Sequence, residues 1–166
     1  RYHDHLAERF VQAFCDTLGR WCEKNGLIFT GHVMGEGTLA GQTRTVGEAM
    51  RCYRAFGIPG IDVLGEHKLE YSTAKQTQSA VRQQGSQGML SELYGASGWD
   101  FDFRGYKLQG DWQAAMGVTV RVPHHGWYTM YGEPKRDYPG SIHDHAPWWT
   151  QYHLIEDHFA RINTAL

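Results

Sequence analysis

Long apolar runs, a surplus of charge of one sign and an even set of cysteines are all missing from this chain, and each gap removes a class of function. No hydrophobic stretch approaches the roughly 20 residues that cross a bilayer, and no charged-then-apolar leader opens the sequence, so neither a membrane span nor a signal peptide is expected. Sixteen basic and eighteen acidic residues give a formal net charge of −2. The basic residues are dispersed rather than striped, which argues against nucleic acid or an anionic membrane as partner. On an expected helix, Cys15 and Cys22 stand about 10 Å apart at Cα, beyond disulfide reach. With Cys52 the cysteines number three, which favours reduced thiols packed as small apolar groups and, with them, a cytoplasmic setting. No strand is followed by Gly-x-Gly-x-x-Gly and no Walker-type Gly-Lys-Ser/Thr occurs, so the usual nucleotide sites are excluded. No cofactor is expected.

Glycine, by contrast, is plentiful and regularly placed. Gly26, Gly57, Gly88 and Gly117 each introduce a short apolar run, at a spacing that matches one strand-plus-helix unit of roughly 30 residues. Each run ends in groups able to do chemistry: 27–32 leads to Glu36, 58–62 to Glu66, 89–91 delivers Glu92, and 118–122 delivers His124 and His125. Helical periodicity fills the intervals. Leu6, Phe10, Phe14, Leu18 and Trp21 make an apolar stripe between Asp4 and Asn25-Gly26, expected to cover a sheet. A second helix is expected to open at Thr45 and Glu48, with Val46, Met50 and Tyr53 on one side, and a third to run from near Ser72 to Gln84. A short fourth centres on Leu108, Trp112 and Ala115, and a fifth after Pro147 carries Trp149, Tyr152, Ile155, Phe159 and Ile162.

This alternation predicts an α/β fold with a parallel sheet and right-handed crossovers. A complete eightfold barrel needs roughly 250 residues. A helix followed by four strand-helix pairs therefore fits the C-terminal half of a TIM (β/α)8 barrel, spanning 1–166 as one partial domain. Such a half exposes two sheet edges, so its expected partner is the missing N-terminal half-barrel of a longer chain.

Strand ends are where α/β barrels keep their catalytic groups. Glu92 is the leading candidate because a buried run opens there into a glycine loop, with Trp99 close behind. Glu36, after Gly31-His32-Val33-Met34-Gly35, is the second carboxylate, since glycosyl transfer uses two on opposite sides of the scissile bond. Asp62 ends the second run and His124 the fourth, both placed to orient hydroxyl groups. His32 lies beside Glu36, and Trp99 and Trp127 offer aromatic faces suited to sugar C–H surfaces. Glu66 and His67 lie further into their loop. Lys107 and Asp111 have i,i+4 spacing on a helix read as structural. His143-Asp144-His145 and His3-Asp4-His5 resemble metal ligands without a defined complete set, and no metal is expected.

Taken together, Thr30 to Glu36, Gly60-Ile61-Asp62, Ser91 to Trp99, Lys107 with Asp111-Trp112, and Lys135-Arg136-Asp137-Tyr138-Pro139 resemble the catalytic barrel of large bacterial glycoside hydrolases similar to the family 106 α-L-rhamnosidases. The resemblance spans nearly all of this chain and only a small part of such enzymes. It implies hydrolysis of an O-glycosidic bond in a carbohydrate or glycoside substrate. It also implies Glu92 at the end of barrel strand seven as base or nucleophile, and keeps Glu36 as its partner. Two alternatives stand beside it. One is a metal-dependent barrel hydrolase using His32, Asp62, His124 and His145 around a divalent ion. The other is a half-barrel that binds carbohydrate without turnover.

Overall fold

Four short strands, each preceded and followed by helical segments, build one parallel sheet in the order β1-β2-β3-β4. A computed structural model describes residues 1–65, 69–126, 128–129, 131–133 and 142–165. The strands are β1 (Thr30–Gly31), β2 (Ile58–Asp62), β3 (Leu90–Leu93) and β4 (Val120–Pro123). Every neighbour pair is parallel, and the sheet curls as a half-barrel. The α/β class and the strand-helix alternation expected from glycine spacing are therefore present.

The chain opens with α1 (Tyr2–Phe10) and α2 (Asp16–Lys24), joined through a wider π-type turn at Val11–Cys15 into one rod. Its buried line is Ala7, Val11 and Cys15, the last two packed with Val46, Ala49, Cys52 and Tyr53. This corrects the expected stripe in part: Phe10 packs against the same core and Leu18 is half-buried, while Leu6, Phe14 and Trp21 are exposed, Phe14 at 50% and Trp21 at 56%. Small side chains won because the rod lies close against the next helical layer. A Cβ on Gly47 would stand 2.4 Å from that of Ala7, and one on Gly19 would stand 2.6 Å from the Ala55 carbonyl oxygen.

The expected second helix is two, α3 (Leu39–Thr45) and α4 (Ala49–Tyr53). Thr45 ends the first rather than opening the second; the cap of α3 is Thr38, whose hydroxyl accepts from the Gly41 amide at 3.0 Å. Next, α5 (Tyr71–Gln84) runs nearly as predicted and stops at Gly85, whose φ of 66° suits a glycine C-cap. Thirteen residues form α6 (Phe103–Ala115), longer than the short helix expected, and Asp102 caps it by accepting from the Arg104 amide at 2.9 Å. Its buried face is Tyr106, Gln109, Gln113 and Ala114, while Leu108 is exposed. The chain ends in α7 (His153–Ala165), which buries Ile155 and Phe159 against α6 and β3 residues.

Two faces follow from the register. Ile61 packs with Val63, Ala74, Met89 and Val118 under the helices, and Ile61, Ser91 and Arg121 lie at one level of the sheet. Gly60, Asp62, Leu90, Glu92, Val120 and Val122 alternate with them on the opposite face. No helix among the described residues is long and apolar enough to cross a membrane.

Candidate functional site

Parallel register lays out the site. Asp62 on β2 is aligned with Glu92 on β3, and Glu92 with Val122 on β4, so the two carboxylates sit side by side on the helix-free face. His32, immediately after β1, brings Nε2 to 2.9 Å from Glu92 Oε2. His124, immediately after β4, brings Nε2 to 3.8 Å from the other Glu92 oxygen. Four successive strands each deliver one polar side chain to the same end of the sheet. His125, next in the chain, is exposed, so one of the two adjacent histidines faces this site, as strand alternation predicts. The His32, Asp62 and Glu92 donor atoms all lie within 4.8 Å of one another. His32 and Glu92 remain open to solvent, at 29% and 30% side-chain exposure.

Glu36 occupies a different environment. It is 5% exposed, and its carboxylate accepts from the Asp62 amide and, at 3.1 Å, from the Tyr53 hydroxyl. Its own carbonyl oxygen accepts from Gln42 Nε2 at 2.9 Å and Thr73 Oγ1 at 3.2 Å. Burial pushes its pKa up to about 7, against the lowering effect of the Asp62 amide and His32. Burial acts to lower the pKa of His32, but the charges of Asp62, Glu36 and Glu92 outweigh it and leave the imidazole raised. Both shifts act in the same direction and favour the protonated forms.

The loop after Glu92 is conformationally unusual. Tyr94 has φ 75° and Ala96 φ 56°, both in the left-handed region that side-chain-bearing residues avoid. Tyr94 is held there by its amide bond to the Leu64 carbonyl at 2.9 Å and by Arg121 Nη1, which donates to its hydroxyl at 3.1 Å. Gly95 between them lies against His124, where a Cβ would come within 2.6 Å of the imidazole. Strain of this kind collects where a site demands a particular geometry.

Two supports escaped the sequence reading. Gln109 and Gln113, one helical turn apart and fully buried, both donate to the Val63 carbonyl, at 3.0 and 2.9 Å, and so fix the backbone just after Asp62. Their i,i+4 spacing on a helix was the available signal. The expected Lys107–Asp111 pair forms, and His158 adds a contact to Asp111 at 2.7 Å.

Trp99 is 48% exposed in the loop that follows Gly98. Trp127, Glu66, His67 and the Lys135–Pro139 motif lie outside the described residues. Of the two His-Asp-His motifs, His3-Asp4-His5 spends its carboxylate on Arg51 at 2.6 Å. His143 and His145 bring their Nδ1 atoms within 3.1 Å, both near Asp144 Oδ1. An open groove of about 800 Å³ lies away from all these groups, between α2 and the segments that lead into β1, β2 and β3.

Compared with protein-family models, curated proteins and solved structures, the chain gives no match. Its function is argued from its own geometry.

Proposed function

We propose that this chain carries the catalytic face of a glycoside hydrolase, with Glu92 as the base or nucleophile at an O-glycosidic bond. One observation carries the reading: Glu92 stands open at a strand end, aligned with Asp62, bonded by His32 and followed by a strained loop. A solvent-facing carboxylate with a neighbouring carboxylate is the minimum that glycosyl transfer needs. Glu36 is assigned the acid side of the reaction, because burial raises its pKa to about 7 and leaves about half of it protonated at neutrality. Asp62 and His124 are assigned to orient substrate hydroxyls, with Trp99 and Trp127 as the sugar platform. The motif resemblance to family 106 enzymes points to the same class.

In this proposal the four strands are the C-terminal half of an eightfold barrel. Support comes from the curl of the sheet, from β1 and β4 at its two edges, and from the exposed Leu6, Phe14 and Trp21 on the first rod.

The test is turnover of a panel of aryl glycosides by the parent enzyme and its Glu92→Gln variant. Loss of turnover with an unchanged melting curve supports the assignment. Wild-type rates in the variant would sink it, and sugar binding without product release would assign a carbohydrate-binding half-barrel instead.

A further inference from the structure

Both nitrogens of His32 face oxygens that only accept. Nδ1 lies 3.5 Å from the Val33 carbonyl oxygen, and Nε2 lies 2.9 Å from Glu92 Oε2. A neutral imidazole has one N–H to share between them. With that proton on Nε2, the Glu92 contact is an ordinary hydrogen bond and Val33, at 3.5 Å, is left a marginal one; with it on Nδ1, the Nε2 lone pair meets a carboxylate, and a cation between the two relieves the contact. This is the disposition of a metal-ligating histidine, which turns one nitrogen to a backbone carbonyl or carboxylate and the other to the ion.

The remaining geometry agrees. Around an ion with bonds of about 2.1 Å, neighbouring donors stand about 3 Å apart and opposed donors about 4.2 Å. The His32–Glu92 contact of 2.9 Å matches a neighbouring pair, and the His32, Asp62 and Glu92 donors, all within 4.8 Å, can close on one centre by small side-chain rotations. The three donors come from adjacent strand ends rather than from one loop. Glu36 accepts from the Asp62 amide, and Gln109 and Gln113 hold the next carbonyl, so the Asp62 backbone is fixed from two sides.

We infer that His32, Asp62 and Glu92 form a site for one divalent transition-metal cation. One imidazole with two carboxylates suits Zn²⁺ or Mn²⁺ better than Ca²⁺ or Mg²⁺, which prefer all-oxygen surroundings. Three protein donors leave positions for water or a substrate oxygen, where the ion acts as a Lewis acid. With an ion bound, Glu92 and Asp62 are held as ligands and ion-bound water would take the role of base; that use rests on the glycosidase reading, while binding of the ion is measured without substrate.

The experiment is calorimetric titration of the metal-free chain with MnCl2 and with ZnCl2, in a His143→Ala/His145→Ala background that removes the loop cluster. The visible spectrum of the Co²⁺-loaded chain reports ligand type independently. One ion per chain is expected, bound about tenfold or more weaker after Asp62→Asn or His32→Ala, with circular dichroism confirming that both variants fold. No binding, or binding unchanged in both variants, overturns the site. Binding of one ion by this chain, with no glycosidase turnover by a longer chain that completes the barrel, keeps the site and removes the glycosidase reading. Turnover that survives chelation in a chain that binds no ion removes the site alone.

Discussion

The amide of Asp62 donates to the buried carboxyl of Glu36, tying a group shut away from solvent to the residue that stands beside Glu92 on the open face. Whatever charge Glu36 carries is felt at Asp62 through one hydrogen bond.

That contact gives a pH dependence with a definite sign. The pKa of Glu36 rises from 4.5 to about 7 on folding, so between those values the folded chain keeps a proton that the unfolded chain has lost. Stability therefore falls as pH rises from 4.5 to 7 and levels off above, by about 3 kcal/mol in all. His32 works in the same direction, since a raised imidazole contributes stability below its ordinary 6.5 that is lost as pH rises through its folded value. Glu36→Gln keeps an acceptor for the Asp62 amide and cannot ionise. Urea unfolding at pH 5 and pH 8, with chelator present, should show the gap between the two pH values shrink by about 2.5 kcal/mol in the variant. A gap equal to wild type would place the dependence on another group.

Ala96 tests the loop beyond Glu92. It is exposed and sits at φ 56°, where a Cβ is penalised and glycine is not. Ala96→Gly relieves that cost and adds some unfolded-state entropy, for a net gain of about 0.5 kcal/mol. Chemical denaturation reads it, and a loss of 1 kcal/mol or more would show that the loop carries no strain at this position.

Gly110 on α6 sets two effects against each other. Alanine is the better helix former by about 1 kcal/mol, yet a Cβ here would stand 2.1 Å from Phe159 Cζ and 2.7 Å from the Tyr94 hydroxyl oxygen, both fully buried. Overpacking of a tight core costs about 1–3 kcal/mol, so Gly110→Ala is expected to destabilise. Phe159→Leu in the same chain should recover part of the loss. A variant as stable as wild type would mean that Phe159 has room to retreat.

Glycine spacing and apolar runs made the strand order and the strand-end positions of Asp62, Glu92 and His124 legible, because both signals are local. What stayed hidden depends on distance. The π-type turn and the close approach of Gly47 to Ala7 select Ala7, Val11 and Cys15 for burial over larger neighbours, a choice no periodicity encodes. Nothing in the sequence separates the open Glu92 from the enclosed Glu36, since both follow short apolar runs. Only the Tyr53 hydroxyl and the Asp62 amide, brought from other elements, distinguish them.

The exposed side of the first rod gives the last prediction. Phe14 and Trp21 are half or more exposed, as are Leu27 and Ile28 just before β1, so beyond the stacking of Phe14 on Phe10 at 5.4 Å replacing them removes little that holds this chain together. Phe14→Glu/Trp21→Glu should change the stability of the isolated chain by less than about 1 kcal/mol, the range of surface substitutions. If further strand-helix units complete the barrel, the same two residues become buried in the assembled enzyme, where a charge without a partner is costly. The isolated chain should self-associate through this face, and the double variant should sediment as a monomer with an unchanged melting curve. In a longer chain that completes the barrel the same pair should abolish soluble expression. An isolated variant that unfolds would show that the rod already buries this face, and a longer chain indifferent to both charges would remove the barrel-completion proposal.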